Sequence, residues 1–262
     1  MFSRTSRRRA TVAALLVTLV VGAAAIQGAG AALQVGTVAR DVIFGNDNDN
    51  AENTFIQPAG VTAKQHLENT DILAGGSRND VLIGLKGSDV IDGGNADDVL
   101  VGGIEKGQLP NSDVLLGGYG DDVSIWAPGD GSDAFLGGPG YDTHISAPLV
   151  LDAAGARPAL FPFGYEQLPH VSIDNKPQFS CTIEAVPAEQ QLGFEYITRF
   201  FANKNLAVTI RLKDVEQVLC PSPNPGKVLV AELHGSTPAF TEVSLSHFAG
   251  TRLGSMLQAP AA

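Results

Sequence analysis

Eight aspartates recur along residues 71–142 at intervals of 9, 9, 9, 15, 9, 11 and 9: Asp71, Asp80, Asp89, Asp98, Asp113, Asp122, Asp133 and Asp142. Short, mostly apolar runs follow them, as in Asp80-Val-Leu, Asp98-Val-Leu and Asp113-Val-Leu. Turn sequences of one design precede them: GGSRND at 75–80, GLKGSD at 84–89, GGNADD at 93–98, GGYGDD at 117–122, PGDGSD at 128–133 and GGPGYD at 137–142. A period of nine fits neither an α-helix nor an ordinary hairpin repeat. An acidic, glycine-rich linker would need no apolar period at all.

These residues resemble the RTX, or hemolysin-type, calcium-binding nonapeptide G-G-x-G-x-D-x-U-x. The resemblance covers about residues 71–145 and extends weakly back to Gly36. Two turns match in full, Gly117–Asp122 and Gly137–Asp142. Others depart: Arg78 and Ala96 replace the fourth-position glycine, Leu85 replaces the second, and Ile104–Ser112 interrupts the turn before Asp113. The resemblance implies a parallel β-roll in which two nonapeptides complete one coil, so eight strands give four coils. The second residue after each Asp then points inward: Leu73, Leu82, Ile91, Leu100, Leu115, Ser124, Phe135 and His144.

It also implies Ca2+ as the bound cofactor, held between stacked turns by an Asp from each. The residue chemistry agrees. Glycine permits positive φ and lets carbonyls converge, and calcium takes about 6–8 oxygen ligands. The expected metal-binding positions are Asp80, Asp89, Asp98, Asp113, Asp122, Asp133 and Asp142, with Gly117, Gly118, Gly120, Gly137, Gly138 and Gly140 in the two intact turns. Parity places Asp80, Asp98, Asp122 and Asp142 along one side and Asp71, Asp89, Asp113 and Asp133 along the other. Asp122 with Asp142 is the best-formed pair, and Arg78 brings a positive charge into the Asp80 turn. Asp92, Asp97, Asp121 and Asp130 miss the sixth position and read as solvated or auxiliary acids. His144 stands where an apolar residue belongs and reads as the end of the roll. Gly45-Asn-Asp-Asn-Asp-Asn50 is either a further cation site or a polar turn between strands at 42–44 and 54–56.

Charge agrees with a cation-binding role. The chain's net charge is -11, and residues 36–147 hold 18 acids against 5 bases. Such a surface disfavours nucleic acid and anionic lipid as partners. The first 32 residues are the opposite, with four Arg, no acid and an apolar run from Ala10 to Ile26. Small residues follow at Gly28–Ala32, completing the pattern of a secretory signal, with a short membrane anchor as the alternative. The expected organisation is a signal peptide at 1–32, a roll at 33–147, and a Pro-rich connection leading into a disulfide-linked β domain at 148–262. Signal removal would leave no stable membrane span, and the mature protein would be secreted or extracytoplasmic.

The fold class expected is all-β: the parallel roll followed by a small antiparallel β domain. The segments CTIEAV, FEYITRFF, LAVTIRL and KVLVAEL between Cys181 and Leu233 are rich in β-branched and aromatic residues. Asn203-Lys-Asn205 reads as a hairpin turn, and Gly193–Phe201 as strand or helix. The only two cysteines, Cys181 and Cys220, are expected to pair in an exported chain. No H-E-x-x-H helix, G-x-S-x-G elbow or P-loop occurs, and the five histidines are scattered. A non-enzymatic calcium-binding protein with a structural or surface-interaction role is therefore the first expectation. A calcium-dependent adhesion or ligand-binding module, and an enzyme with its site in the C-terminal region, stay open. Any cell-surface partner is unspecified by the sequence. One sheet of the roll is expected to carry an outward apolar face of Val81, Ile83, Val99, Val101, Val123 and Ile125. A C-terminal cover or a second chain would bury it, with Trp126 at its margin.

Overall fold

The computed structural model describes residues 33–45, 71–103 and 112–257. The signal peptide expected at 1–32, residues 46–50 of the acidic cluster, the strand expected at 54–56 and most of the insertion before Asp113 lie outside the described residues.

Ten short strands build the roll: β1 (Leu33–Val35), β2 (Val42–Phe44), β3 (Ile72–Ser77), β4 (Val81–Leu85), β5 (Val90–Asn95), β6 (Val99–Gly103), β7 (Val114–Tyr119), β8 (Val123–Trp126), β9 (Ala134–Leu136) and β10 (Thr143–Ser146). Odd-numbered strands stack in one parallel sheet and even-numbered strands in the other. The register is that of the repeat: Val81 pairs with Val99, Val99 with Val123, and Val123 with Thr143. The roll is one coil longer than the eight-strand expectation, because β1 and β2 stack on β3 and β4.

Alternation decides what each strand buries. Between the two sheets lie Leu73, Leu82, Ile91, Leu100, Leu115 and Phe135, all inward as expected. Ser124 and His144 are also inside and satisfy each other. Ser124 Oγ lies 2.7 Å from His144 Nδ1, and His144 Nε2 lies 2.9 Å from Ser146 Oγ. Burial holds the imidazole neutral, its pKa lowered to about 3. His144 does not end the roll, since two further strands continue both sheets beyond it.

Those strands belong to the C-terminal region. After a hairpin of β11 (Leu160–Phe163) and β12 (Glu166–Pro169) come β13 (Phe179–Ala185), β14 (Tyr196–Ala202) and β15 (Asn205–Lys213), which pair antiparallel. The strand reading of 196–201 thereby holds over the helical one. The hairpin turn expected at Asn203-Lys-Asn205 is formed by Asn203 and Lys204 alone, both at positive φ as a type I′ hairpin requires, and Asn205 begins β15. β15 then lies parallel to β9, and β16 (Gln217–Pro221) lies parallel to β10. β17 (Lys227–Glu232) and β18 (Thr241–Ser244) complete the second sheet antiparallel. Among the described residues each sheet therefore has eight strands, parallel at one end and antiparallel at the other. The antiparallel strands continue the roll's own sheets.

The outward face of the even sheet is buried. Val81, Ile83, Val99, Val101, Val123 and Ile125 pack with Leu149, Leu168, Val171 and Ile173 of the Pro-rich segment, and with Phe248, Met256 and Leu257. The last two lie on α1 (Arg252–Leu257). Covering such a face stabilises by about 25 cal/mol per Å2 removed from water. Trp126 departs from expectation. It is one step past Ile125, so it points into the space between the sheets, packs at a tilt against Phe200 with ring centroids 4.9 Å apart and donates Nε1–H to the Gly131 carbonyl at 2.9 Å. Cys181 on β13 and Cys220 on β16 form a disulfide that joins the two sheets. Among the described residues, no helix is long and apolar enough to cross a membrane.

Candidate metal centre

The repeat aspartates occupy two stacks, one on each side of the roll. Each Asp Oδ1 accepts the backbone N–H of the Asp one coil earlier. On one side the bonds run Asp41 N to Asp80 at 2.6 Å, Asp80 N to Asp98 at 2.7 Å, Asp98 N to Asp122 at 2.8 Å and Asp122 N to Asp142 at 2.8 Å. On the other they run Asp71 N to Asp89 at 2.9 Å, Asp89 N to Asp113 at 2.7 Å and Asp113 N to Asp133 at 3.0 Å. The parity of the repeats thus has its physical form: alternate turns share a side because each coil contains two.

One carboxylate oxygen per Asp is used in this way. The second oxygen, Oδ2, of Asp80, Asp98, Asp122 and Asp142 is buried without a hydrogen-bond partner. A buried carboxylate oxygen in that state is strongly disfavoured. Burial is the largest cause of the raised pKa at each: to about 6 for Asp80, 7 for Asp122, 8 for Asp142 and 9 for Asp98. The neighbouring Asp carboxylates raise Asp98 and Asp142 further. A cation accepting these oxygens would remove both penalties.

The glycines hold backbone oxygens against those same atoms. A Cβ placed on Gly75 would lie 2.6 Å from Asp80 Oδ2 and 2.6 Å from the Gly93 carbonyl oxygen. On Gly93 it would lie 2.5 Å from Asp98 Oδ2 and 2.7 Å from the Gly117 oxygen, and Gly117 meets Asp122 Oδ2 and the Gly137 oxygen in the same way. Glycine at the first position of these three turns is thus required by a close approach of oxygens. Gly118, Gly120 and Gly138 lie at positive φ, each stacked on a backbone carbonyl one coil below, and Gly140 is stacked on the Gly120 oxygen likewise. Where glycine is missing the conformation persists: Arg78, Leu85 and Ala96 have φ of 78°, 77° and 81°. Such backbone costs about 1–3 kcal/mol per residue. Arg78 carries its charge away from the carboxylates and donates Nε–H to the Val38 carbonyl at 3.1 Å.

Three acids stand differently from the sequence reading. Asp41 heads the first stack, and Gly36 precedes it at the spacing of a repeat turn. Its signal was legible in G-x-x-x-x-D followed by Val-Ile-Phe, although only one glycine of the turn remains. Asp130 is no solvated acid. It is buried beside Asp113 and Asp133, with carboxylate oxygens of the three within 4.8 Å of one another. Gly103 and Gly131 donate their N–H groups to it at 2.9 and 2.8 Å. Burial raises its pKa. Glu216, in the turn from β15 to β16, accepts the Asp142 N–H at 2.7 Å and so ends the first stack. Asp97 and Asp121 form a minor ladder outside it, accepting the N–H groups of Asp121 and Tyr141 at 3.0 and 2.9 Å. Asp92 is half-buried on the odd sheet's outer face, its pKa raised by burial.

The donor set is hard oxygen throughout, carboxylate and carbonyl, which suits calcium over softer metals. No curated protein and no solved structure matches the chain. The family model of the RTX calcium-binding nonapeptide repeat does match, in four copies at residues 70–106. Those residues contain Asp71, Asp80, Asp89 and Asp98 at their nine-residue spacing. Over residues 70–106 the chain matches RTX calcium-binding nonapeptide repeats, which imply binding of calcium ions.

Proposed function

We propose that this protein is a secreted calcium-binding protein whose roll folds around calcium ions and serves a structural or surface-interaction role, without catalysis. The observation that carries the reading is the row of buried, unpartnered Oδ2 atoms on Asp80, Asp98, Asp122 and Asp142. Each faces a glycine carbonyl or its equivalent one coil on. A cation completing this row removes the cost of burying it. Asp89, Asp113 and Asp133, with Asp130, form the second row of ligands. The glycines Gly117, Gly118, Gly120, Gly137, Gly138 and Gly140 shape the turns that bring carbonyls within reach.

The signal-like sequence of residues 1–32 supports the same assignment. Extracellular calcium is plentiful, and the Cys181–Cys220 bond persists in oxidising surroundings. A calorimetric calcium titration with a parallel circular-dichroism record tests the reading. Several equivalents of bound calcium with a gain of β signal are expected; absence of binding at millimolar calcium would refute it.

A further inference from the structure

The C-terminal region adds a turn of its own to the first stack. Lys213 of β15 pairs with Leu136 of β9, and Gln217 of β16 pairs with Thr143 of β10. Asp214–Glu216 therefore span in three residues what Gly137–Asp142 span in six. The bonds of the repeat are reproduced across this step. Gly138 donates to the Asp214 carbonyl at 3.2 Å, as Gly118 donates to Gly137 at 2.9 Å. Gln217 donates to the Asp142 carbonyl at 3.1 Å, as Thr143 donates to Asp122 at 2.8 Å. The Glu216 carboxylate accepts the Asp142 N–H, as Asp142 accepts that of Asp122. Glutamate is longer than aspartate by one methylene, which offsets the shorter turn.

The oxygens converge as they do one coil below. Beside Gly137, the space a Cβ would fill is crowded by Asp142 Oδ2 and the Asp214 carbonyl oxygen. Asp142 is fully buried, and that Oδ2 has no partner. The Asp214 carboxylate is turned away, paired with Lys213 Nζ at 2.8 Å. Its backbone N–H is held by Glu195 at 3.1 Å, which leaves the carbonyl directed at the roll.

We infer that Asp142, the Asp214 carbonyl and Glu216 form a terminal calcium site that fastens the antiparallel strands to the roll. It lies outside the nonapeptide pattern and takes one ligand side chain from each region. The site rests on the calcium reading of the roll, and its test separates the two.

The variants are Glu216→Gln, which keeps the shape and the acceptor for Asp142 N–H, and Glu216→Asp, which keeps the charge but shortens the reach. Calcium stoichiometry is measured by calorimetry on the full chain, with Glu242→Gln as a distant control. Glu216→Gln is expected to lose one equivalent and keep the others. Glu216→Asp is expected to weaken one equivalent at least tenfold, which a general charge effect would not do. Both variants retaining every equivalent at wild-type affinity, or both losing all equivalents together, would overturn the terminal site while wild-type binding upholds the roll. Wild-type protein that binds no calcium would overturn the calcium reading and this site with it.

Discussion

Strands β9 and β15 lie side by side in one sheet, yet the turns that lead into them differ in kind. β9 follows Pro128–Asp133, where Asp130 and Asp133 bury carboxylates beside Asp113. β15 follows the two-residue turn Asn203-Lys204, which buries no charge. The same contrast separates the roll from the antiparallel strands as a whole. One is ordered by acids whose oxygens converge, the other by hairpins, by Phe200, Val208, Ile210 and Leu212 in the shared core, and by a disulfide. The calcium reading makes the roll's stability depend on a cation, and leaves that of the antiparallel part to its packing and its disulfide.

Removing calcium is the strongest way to divide the two regions. Occupancy at 100 times the dissociation constant adds about 2.7 kcal/mol per independent site. Chelation should therefore melt the strands β1–β10 while the hairpins of β13–β15 keep slow amide exchange. Hydrogen exchange followed by mass spectrometry checks this, and equal loss of protection in both regions would erase the contrast. Breaking the disulfide should do the reverse. Cys181→Ser with Cys220→Ser opens a loop of 39 residues and should cost about 4 kcal/mol in the chain-entropy model. The loss should be similar with and without calcium in denaturant titrations.

Acid sharpens the comparison without a mutation. Asp80, Asp98, Asp122 and Asp142 have folded pKa values of about 6 to 9, above the ordinary carboxylate value near 4. Between those limits the folded state holds more protons than the unfolded one, so the metal-free roll loses stability as pH rises. Its melting temperature should fall from pH 5 to pH 9. Calcium affinity should rise over the same range, since protons compete for the same oxygens. A metal-free melting temperature that rises with pH would contradict the buried-carboxylate account. The smallest effect on calcium should come from Asp92→Ala, which removes a half-buried carboxylate outside both stacks and should lose no calcium. Asp122→Ala should weaken the two levels it joins, and equal calcium losses in the two variants would break the assignment of the stacks.

Much of this contrast was legible in the residues. A period of nine fixes which Asp lies above which, because two turns make a coil, and it fixes Leu73 through Phe135 as inward. The face of Val81, Ile83 and their neighbours was readable from alternation alone. A C-terminal cover was expected there as one of two alternatives, but its residues were not readable, because residues 148–173 carry no period and reach the sheet through isolated contacts at Leu149, Leu168, Val171 and Ile173. Asp41 left only a weak signal, since one turn glycine remains before it, and Asp130 was hidden by standing at the third position. Glu216 had no glycine beside it to mark a turn. β16 was missed for a related reason: its QVLCP sequence is too short to show a pattern before Pro221.

Arg78, Leu85 and Ala96 give the roll a direction. All three strained residues lie in turns before residue 100, while the turns at Gly117 and Gly137 keep their glycines and the Gly137 turn abuts β15 and β16. A stack in which each coil contacts only its neighbours grows by templating from its most favourable end. That end is the C-terminal one, where the antiparallel strands present ready-made partners for β9 and β10. Assembly should therefore zip backward along the sequence, with β1 and β2 last. Pulsed hydrogen exchange during calcium-triggered refolding should show protection first at β9 and β10. Earlier protection at β3 and β4 would reverse the order.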